Sequence, residues 1–268
     1  MTDPVLQIMA MAKRLAGIEL GEAKRSLVES RLAKRLRELG DPPLEDYVKR
    51  CERDPAEQEI LLNQLTTNHT AWLREPAHFA DFEGRVLPAI IRRQERAVQP
   101  KLRIWCAAAA TGEEPYTIAL CLVRALKDLD RWDAAVLCTD LSTKALALAK
   151  AGIYDDQRID PLSEADRKLA VQAVAVDGQR RWQVRPALRQ LLEFARLNLM
   201  EDWPMKGPFD VIFCRNVMIY FNRETQARLV NRLAGLLRPG GTLYVGHSES
   251  LSAINHPLRA RGPAIYDA

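Results

Sequence analysis

The stretch from Leu102 to Tyr116, LRIWCAAAATGEEPY, constrains the fold more than any other part of the sequence. It is apolar without a break from Ile104 to Ala110, which is typical of a parallel strand covered on both faces. Gly112 can form a tight turn that a side chain would forbid, and Pro115 suits the first turn of a helix. A buried strand that leads through a glycine turn into a helix forms a nucleotide pocket at the carboxyl edge of a sheet. The stretch therefore predicts an α/β domain with a ligand pocket at this turn.

The two acidic residues after the turn indicate what such a pocket would bind. A phosphate site would have bare amides or a lysine where Glu113 and Glu114 stand. Carboxylates suit a ligand with hydroxyl groups or positive charge. S-adenosylmethionine, with its ribose, ammonium and sulfonium groups, fits better than a dinucleotide. The alternative is an ordinary strand–helix unit whose acidic residues are solvated at the helix start, where the helix dipole favours them.

Composition excludes several classes of protein. No apolar run approaches the ~20 residues of a membrane helix, and the charges around the first apolar segment are in the wrong order for a signal peptide. Five scattered cysteines without a CxxC pair indicate reduced thiols, so we expect a cytoplasmic protein that is not inserted in a membrane. The four histidines lack metal-ligand spacing, which predicts no metal, and a net charge of +4 does not indicate nucleic acid.

The first 65 residues are predicted to form a small helical bundle. Apolar residues recur at helical spacing between Val28 and Leu39, and the GDPP sequence at 40–43 ends that helix. Further helices are predicted at 44–51 and 56–65. No strand pattern occurs in this part of the sequence.

The helix predicted over 23–37 carries six basic residues and one acidic residue. At 100° per residue, Lys24, Arg31 and Arg35 fall within about 40° of each other and form a basic stripe beside the apolar face. One interpretation is a solvated helix face. The other is a docking face for an acidic partner.

The segment LTTNHTAWLREPAHF at 65–79 is predicted to contain the linker between the bundle and the sheet domain. Threonine and asparagine are poor helix formers that favour caps and turns, and Thr66 or Asn68 could merely cap a helix. Trp72 and Arg74 beside so many hydroxyl and amide groups instead suggest a segment that faces a polar ligand. A helix is predicted to follow at 76–96.

The strand–helix pattern then repeats. A strand at 134–139 ends in Asp140, and an acid at the end of the second strand binds ribose hydroxyls in nucleotide-binding folds. A charged segment at 160–176 is predicted to be helical, and a strand at 192–196 re-enters the sheet with Asn198 at its carboxyl end. A strand at 209–214 follows, and a last, antiparallel strand is predicted at 264–266.

Six motifs occur in order along nearly the whole chain: TTNHTAWLREPAHF at 66–79, AAAATGEEPY at 107–116, LCTDLS at 137–142, NLM at 198–200, GPFDVIFCRNVMIYF at 207–221 and GGTLYVGHSESL at 240–251. Together they resemble the CheR family, bacterial methyltransferases that use S-adenosylmethionine to methylate glutamates on the cytoplasmic helices of chemotaxis receptors. The resemblance implies a doubly wound, Rossmann-like methyltransferase sheet with an N-terminal helical bundle and a small inserted β-subdomain. The implied division is a receptor-docking helical domain at 1–65, a linker at 66–75 and a methyltransferase domain at 76–268, with the insert at about 177–195.

The resemblance also implies which residues bind the cofactor. By position in the motifs, they are Asn68, Thr70, Arg74, Glu114, Asp140, Asn198, Leu199, Asn216 and Val217. Arg74 and Tyr220 lie in motifs expected at the pocket rim, which leads to the hypothesis that they orient the incoming carboxylate. Tyr220 could alternatively be a core tyrosine.

The absence of a recognisable acid–base constellation agrees with this chemistry. A glutamate side chain has a pKa near ~4.3 and is already ionised at neutral pH, so methyl transfer to it needs no general base. Proximity and orientation of two bound reactants can supply catalysis.

The implied partner is the glutamate-rich helix of a receptor, which the basic stripe of Lys24, Arg31 and Arg35 would attract. We expect a monomer, and the single glycine of the insert, Gly178, argues against binding of a receptor C-terminal tail. Two other functions stay open: a non-catalytic module that senses the cofactor or another nucleotide, and a methyltransferase for small molecules or nucleic acid. A nucleic-acid enzyme should have an aromatic base pocket beside a basic channel, and neither is evident.

Overall fold

Four helices make up the N-terminal part of the protein. The computed structural model describes residues 3–268, so residues 1 and 2 of the predicted helical domain lie outside the described residues. Asp3 caps the first helix by accepting a hydrogen bond from the Val5 backbone N–H at 2.9 Å, and Gly17 ends it with a φ of 70°. The four helices are α1 (Pro4–Ala16), α2 (Arg25–Glu38), α3 (Leu44–Arg53) and α4 (Pro55–Leu65).

The apolar spacing on α2 directs one face of that helix into the bundle. Val28 and Leu32 are buried in one apolar cluster with Ile8 of α1, Tyr47 of α3 and Leu61 of α4. Each such side chain contributes roughly 1.5–3 kcal/mol through burial. The predicted helical bundle is therefore confirmed.

The helix predicted over 76–96 is present but interrupted. It consists of α5 (Pro76–Asp81), a π-helical turn (Phe82–Val86) and α6 (Leu87–Gln94). Pro88 has no N–H to donate to the preceding turn, so the helix widens just before it.

The rest of the chain alternates strands and helices. In order, they are β1 (Lys101–Cys106), α7 (Glu113–Ala125), β2 (Asp133–Asp140), α8 (Thr143–Ala151), β3 (Ile153–Tyr154), α9 (Asp156–Ile159), α10 (Glu164–Ala170), β4 (Val171–Val176), β5 (Gln179–Val184), α11 (Pro186–Arg189), β6 (Leu192–Arg196), β7 (Phe209–Cys214), α12 (Arg223–Leu236), β8 (Leu237–Val245), β9 (Arg259–Gly262) and β10 (Ile265–Asp267).

Seven of these strands form one sheet in the order β6-β2-β1-β7-β8-β10-β9. The first five are parallel, and β10 is antiparallel to β8, as the sequence predicts. In the register of the central strand, Ile104 is opposite Val136 on one side and Val211 on the other. Because parallel strands share their carboxyl edge, the loops after β6, β2, β1 and β7 meet at one place. This arrangement confirms the predicted fold class.

The inserted sheet differs from the prediction. Strands β3, β5 and β4 form a separate three-stranded sheet between residues 153 and 184, whereas 192–196 belongs to the main sheet, as predicted. The predicted helix at 160–176 is wrong beyond Ala170, where the VQAVAV sequence pairs with β5 instead. Asp177 and Gly178 join the two strands with φ angles of 50° and 73°, the left-handed pair typical of a two-residue hairpin.

The main sheet is buried on both faces by apolar side chains. Every residue of β7 is buried, and Ile104 and Trp105 of β1 are inaccessible to solvent. All five cysteines are buried and unpaired, in agreement with the expected reduced thiols. Within residues 3–268, no helix is long and apolar enough to cross a membrane.

Candidate active site

A cavity of about 850 Å³, including its open side, lies between the carboxyl edge of the sheet and the N-terminal helices. The end of α1 and the linker form one wall, and the loops after β1, β2, β6 and β7 form the other. Every residue predicted to bind the cofactor or to orient the substrate lies at this cavity: Asn68, Thr70, Arg74, Glu114, Asp140, Asn198, Leu199, Asn216, Val217 and Tyr220.

The loop after β1 shapes the floor of the cavity. The strand ends at Cys106, short of the apolar run that predicts it, and the Ala109 N–H donates to the Thr139 carbonyl at 2.9 Å. Gly112 has a φ of 102°, and a Cβ at this position would lie 2.7 Å from the Tyr154 hydroxyl oxygen. Both the backbone conformation and the close neighbour therefore require glycine at the turn.

Asp140 lies where β2 ends and is buried. Its Oδ2 accepts a hydrogen bond from the Ala110 N–H at 2.8 Å, and its Oδ1 accepts one from the Ser142 N–H at the same distance. Burial raises the pKa of Asp140, and the backbone N–H groups of Ser142, Ala110 and Leu141 oppose that rise. The carboxylate is thus held in one orientation at the edge of the cavity, as a hydroxyl-binding acid requires.

Glu114 is buried on the opposite side of the same turn and is paired with an arginine that the sequence did not single out. The Arg215 Nη1 donates to Glu114 Oε2 at 2.6 Å, and the Cys106 thiol donates to Glu114 Oε1 at 3.4 Å. Burial raises the pKa of Glu114, and the Arg215 charge opposes this rise. The sequence does carry a signal for Arg215, since an arginine directly after the apolar strand at 209–214 is expected to be buried. A buried guanidinium needs carboxylate partners, so this position indicates a buried ion pair.

Glu75 is the second carboxylate of this network and was also missed. Its Oε2 accepts from Arg215 Nη2 at 3.0 Å, and its Oε1 accepts from Asn216 Nδ2 at 3.2 Å. Burial opposes ionisation of Glu75, but Arg215, Asn216 and the His247 backbone N–H outweigh it and lower the pKa of Glu75 to about 2. Glu75 is therefore ionised in the folded protein at any physiological pH.

This lowered pKa predicts an acid-dependent loss of stability. Glu75 titrates near 4.5 when unperturbed and near 2 in the folded protein, so its stabilising contribution is complete above about pH 4.5 and disappears as the pH falls towards 2. We expect Glu75→Gln to lower the unfolding midpoint at pH 6, and the difference from the wild type to shrink at pH 3. Thermal unfolding at both pH values measures this, and a pH-independent difference would contradict it.

Asn216 is held in the left-handed conformation, with a φ of 57°, at the end of β7. Its backbone N–H donates to Glu249 Oε2 at 2.7 Å, and Glu249 also accepts from the Gly246 N–H at 2.6 Å and the Ile219 N–H at 3.2 Å. Asparagine tolerates this conformation better than most residues. The buried Glu249 carboxylate thus fixes the loop that carries Asn216, Val217 and Tyr220.

Asn198 and Tyr220 lie where the two parts of the protein meet. The Asn198 Nδ2 donates to the Leu15 carbonyl at 2.7 Å, so its side chain already holds α1 against the sheet. The Tyr220 carbonyl accepts from the Glu19 N–H at 2.8 Å, and the Lys24 ammonium lies 5.8 Å from the centre of the Tyr220 ring. Tyr220 is half-buried and lines the cavity.

The linker contributes a cation to the cavity and a tryptophan to the core. Arg74 Nη1 donates to the His69 carbonyl at 3.0 Å, and no carboxylate within residues 3–268 forms an ion pair with it. Trp72 is buried, with its ring centre 6.1 Å from that of Tyr116 and 6.0 Å from that of Tyr154. The segment therefore lines the cavity through residues 66–70 and Arg74, whereas Trp72 packs among aromatic core residues.

Two of the three residues of the predicted basic stripe, Arg31 and Arg35, form hydrogen bonds within the protein. Arg35 donates to Glu57 Oε1 at 2.8 Å and to Oε2 at 2.7 Å, and the Glu57 side chain is 1% exposed. Arg31 donates to the Leu65 carbonyl at 2.5 Å and to the Thr67 Oγ1 at 2.7 Å. Of the three stripe residues, Lys24 alone is exposed. Arg31 and Arg35 therefore tie α2 to α4 and to the linker.

Reversing the charge of Arg35 should destabilise the helical bundle. We expect Arg35→Glu to lower the free energy of unfolding by roughly 3–5 kcal/mol, because it places a second carboxylate beside the buried Glu57. Lys34→Glu makes the same change of charge at an exposed neighbouring position. It should lower the free energy of unfolding by about 0.5 kcal/mol or less. Urea unfolding of both variants measures the difference, and equal midpoints would contradict the expectation.

Glu113 is not the solvated acid of the alternative interpretation. It is 1% exposed, accepts a hydrogen bond from the Thr111 hydroxyl at 2.7 Å and pairs with Arg158 of α9. It therefore stabilises the turn from the side away from the cavity.

Two possible metal ligands that are three residues apart, Glu75 and His78, come together with His247 beside the cavity. Within residues 3–268, Glu75, His78 and His247 place one ligand atom each within 4.8 Å of one another. Burial lowers the pKa of His78 to about 4, and the nearby Arg215 charge adds to this effect. The Glu75 carboxylate accepts hydrogen bonds from Arg215 and Asn216, whereas neither ring nitrogen of His78 has a hydrogen-bond partner among the described residues.

The sheet order, the glycine turn and the acid at the end of β2 define a methyltransferase domain of the S-adenosylmethionine-dependent class. Two family models match the chain: the CheR methyltransferase S-adenosylmethionine-binding domain over residues 68–264, and the CheR methyltransferase all-alpha domain over residues 6–66. The chain therefore belongs to the CheR methyltransferase family, as the motifs predict.

Relatives with curated names agree with this assignment. The chain is 43% identical over 242 residues to a protein of Rhizobium etli named "Probable chemotaxis protein methyltransferase", with 88% of each chain covered. It is 41% identical over 261 residues to chemotaxis protein methyltransferase 2 of Pseudomonas aeruginosa, covering 97% of this chain and 91% of that protein. An S-adenosylmethionine-dependent methyltransferase structure from Mesorhizobium loti shows a distant likeness, with a TM-score of 0.30 and 19% identity over 61% of this chain and 54% of that one.

Proposed function

We propose that this protein transfers a methyl group from S-adenosylmethionine to the side-chain carboxylates of specific glutamates on methyl-accepting chemotaxis receptors. The products are glutamate methyl esters and S-adenosylhomocysteine, and the process is chemosensory adaptation. The single observation that carries the substrate proposal is Arg74, a cation at the cavity without a carboxylate partner within residues 3–268. Such a cation suits an incoming carboxylate.

The cavity residues suit a cationic cofactor with a ribose. Glu114 and Asp140 are buried carboxyl groups that line the cavity, and such groups suit the ammonium, sulfonium and ribose hydroxyls of the cofactor. Asp140 is placed for the ribose hydroxyls. Glu114 would hold the methionine moiety, and the remaining contacts would come from Asn68, Thr70, Arg74, Asn198, Leu199, Asn216 and Val217.

The chain's own residues need only bind and orient the reactants. The cofactor, when bound, supplies an activated methyl group on its sulfonium. Arg74 and Tyr220 orient the receptor carboxylate, which is ionised at neutral pH and needs no general base. We propose that the reaction is independent of metal ions, so activity should withstand a chelator.

The remaining proposals concern partners and location. Residues 1–65 form the receptor-docking domain, 66–75 the linker and 76–268 the methyltransferase domain. Of the predicted stripe, Lys24 is the exposed cation offered to a glutamate-rich receptor helix, while Arg31 and Arg35 hold the helix that carries it. We propose a cytoplasmic monomer that binds neither nucleic acid nor a membrane.

The decisive experiment incubates the protein with a panel of purified receptor cytoplasmic domains and cofactor carrying a radiolabelled methyl group. We expect base-labile label on at least one receptor, and loss of that label when the target glutamates are changed to alanine. Cofactor binding without label transfer to any receptor would instead indicate a sensor module. Label on small molecules or nucleic acid alone would contradict the proposed substrate.

A further inference from the structure

The Arg215 side chain joins three segments of the chain beside the cavity. Its guanidinium is wholly inaccessible to solvent. Nη1 donates to Glu114 Oε2 at 2.6 Å, and Nη2 donates to the Arg74 carbonyl at 2.5 Å and to Glu75 Oε2 at 3.0 Å. The guanidinium carbon also lies 5.3 Å from the centre of the Phe79 ring. One buried cation therefore connects β7 with α7 and with the linker.

The linker backbone needs such a support. Leu73 has a φ of 55° and Glu75 a φ of 58°, so both residues flanking Arg74 are in the left-handed region that side chains disfavour. Conformations of this kind persist only where the surroundings over-determine them. The hydrogen bonds from Arg215 to the Arg74 carbonyl and to the Glu75 carboxylate are made within this strained segment, so they can hold it in place.

We propose that Arg215 and Glu75 are positioning residues of the methyl-transfer reaction, holding the strained linker so that the Arg74 side chain faces the cavity. The inference rests on the proposed function, in which Arg74 orients the receptor carboxylate. Arg215 acts through Arg74 and does not itself meet the substrate, because its side chain is inaccessible to solvent and bonds the Arg74 carbonyl and two carboxylates.

The geometry requires an arginine. A planar guanidinium presents several donors in a fixed fork and can bond a carboxylate and a carbonyl on one side and a second carboxylate on the other. A lysine at position 215 would retain the charge but offers a single nitrogen. The Arg215→Lys substitution therefore separates the contribution of the positive charge from that of the guanidinium geometry.

The test compares Arg215→Lys, Glu75→Gln and the double variant. We expect each single variant to lower kcat by about tenfold, with the KM for the receptor substrate nearly unchanged. Glu75→Gln should leave the Kd for S-adenosylmethionine within about threefold, measured by calorimetry, because Glu75 lies outside the predicted cofactor contacts. The double variant should be no slower than Arg215→Lys alone, since both residues act through one contact.

A matched control changes the other cation beside the turn. Arg158 pairs with the buried Glu113 away from the cavity, so Arg158→Lys should retain wild-type kcat. Wild-type kcat in Glu75→Gln, or independent and multiplying losses in the double variant, would overturn the inference and leave Arg215 as a purely structural ion pair.

A readout that does not depend on receptor methylation keeps the two proposals apart. Amide hydrogen exchange over residues 70–75 should be faster in Arg215→Lys and Glu75→Gln than in the wild type and in Arg158→Lys. If the wild type binds cofactor but methylates no receptor, the proposed function fails, and unchanged exchange would still refute the positioning of the linker.

Discussion

The Arg74→Ala variant is expected to lose methyl transfer to its receptor substrate by about 100-fold or more in kcat while it remains folded. Arg74 is half-buried at the cavity, and within residues 3–268 its side chain forms one hydrogen bond, to the His69 carbonyl. Its removal takes away the cation that would orient the incoming carboxylate without opening the core. The measurement is the rate at which labelled methyl groups reach the receptor at saturating cofactor.

Two further variants make this prediction specific. Arg74→Lys retains the charge and should recover part of the activity, because an ammonium can still attract a carboxylate but lacks the two-pronged geometry. Arg92→Ala removes an exposed arginine of α6 that does not line the cavity and should leave kcat unchanged. Normal turnover in Arg74→Ala, with an intact thermal transition, would remove Arg74 from the mechanism.

The Asp140→Ala variant should weaken S-adenosylmethionine binding by about tenfold or more. A hydrogen bond to a charged group contributes roughly 1.5–3 kcal/mol, and the Asp140 carboxylate is already oriented by two backbone donors. Removing it also leaves the Ala110 and Ser142 N–H groups without their acceptor. Calorimetric titration with S-adenosylmethionine measures the effect.

Asp133 provides the matched control because it lies at the opposite end of the same strand. Its carboxylate pairs with Arg103 at 2.6 Å, and both side chains are about one-third exposed. Asp133→Asn should leave the Kd for the cofactor unchanged. If both variants bind like the wild type, the second strand does not supply the ribose-binding acid.

The sequence predicts the cavity well because most of its residues follow strand ends. Asp140 is the last residue of β2, and Asn198 and Asn216 come two residues after β6 and β7, and parallel strands bring such positions to one edge. Gly112 was predictable for the same reason, since the turn between a strand and a helix has few conformations. These features depend on local sequence and on the sheet topology alone.

The parts that could not be predicted depend on contacts between distant residues. The partners of Arg215 lie 101 and 140 residues away, and nothing local distinguishes Glu75 from a surface acid. The stripe on α2 has the spacing of a solvated face, yet Arg35 meets Glu57 because α4 packs there. The three valines of VQAVAV favour a strand, but the charged residues before it suggested a helix.

The meeting of α1 with the sheet has a thermodynamic consequence. Leu15 and Glu19 bond to Asn198 and Tyr220, so the same atoms that close the cavity also dock the helical bundle on the sheet. A ligand in this cavity then adds to the free energy that holds the two parts together. Linkage is reciprocal, so a macromolecule that shifts the bundle must change the affinity for the small ligand by the same factor. Binding of a macromolecular partner and binding of the small ligand are in this way thermodynamically coupled.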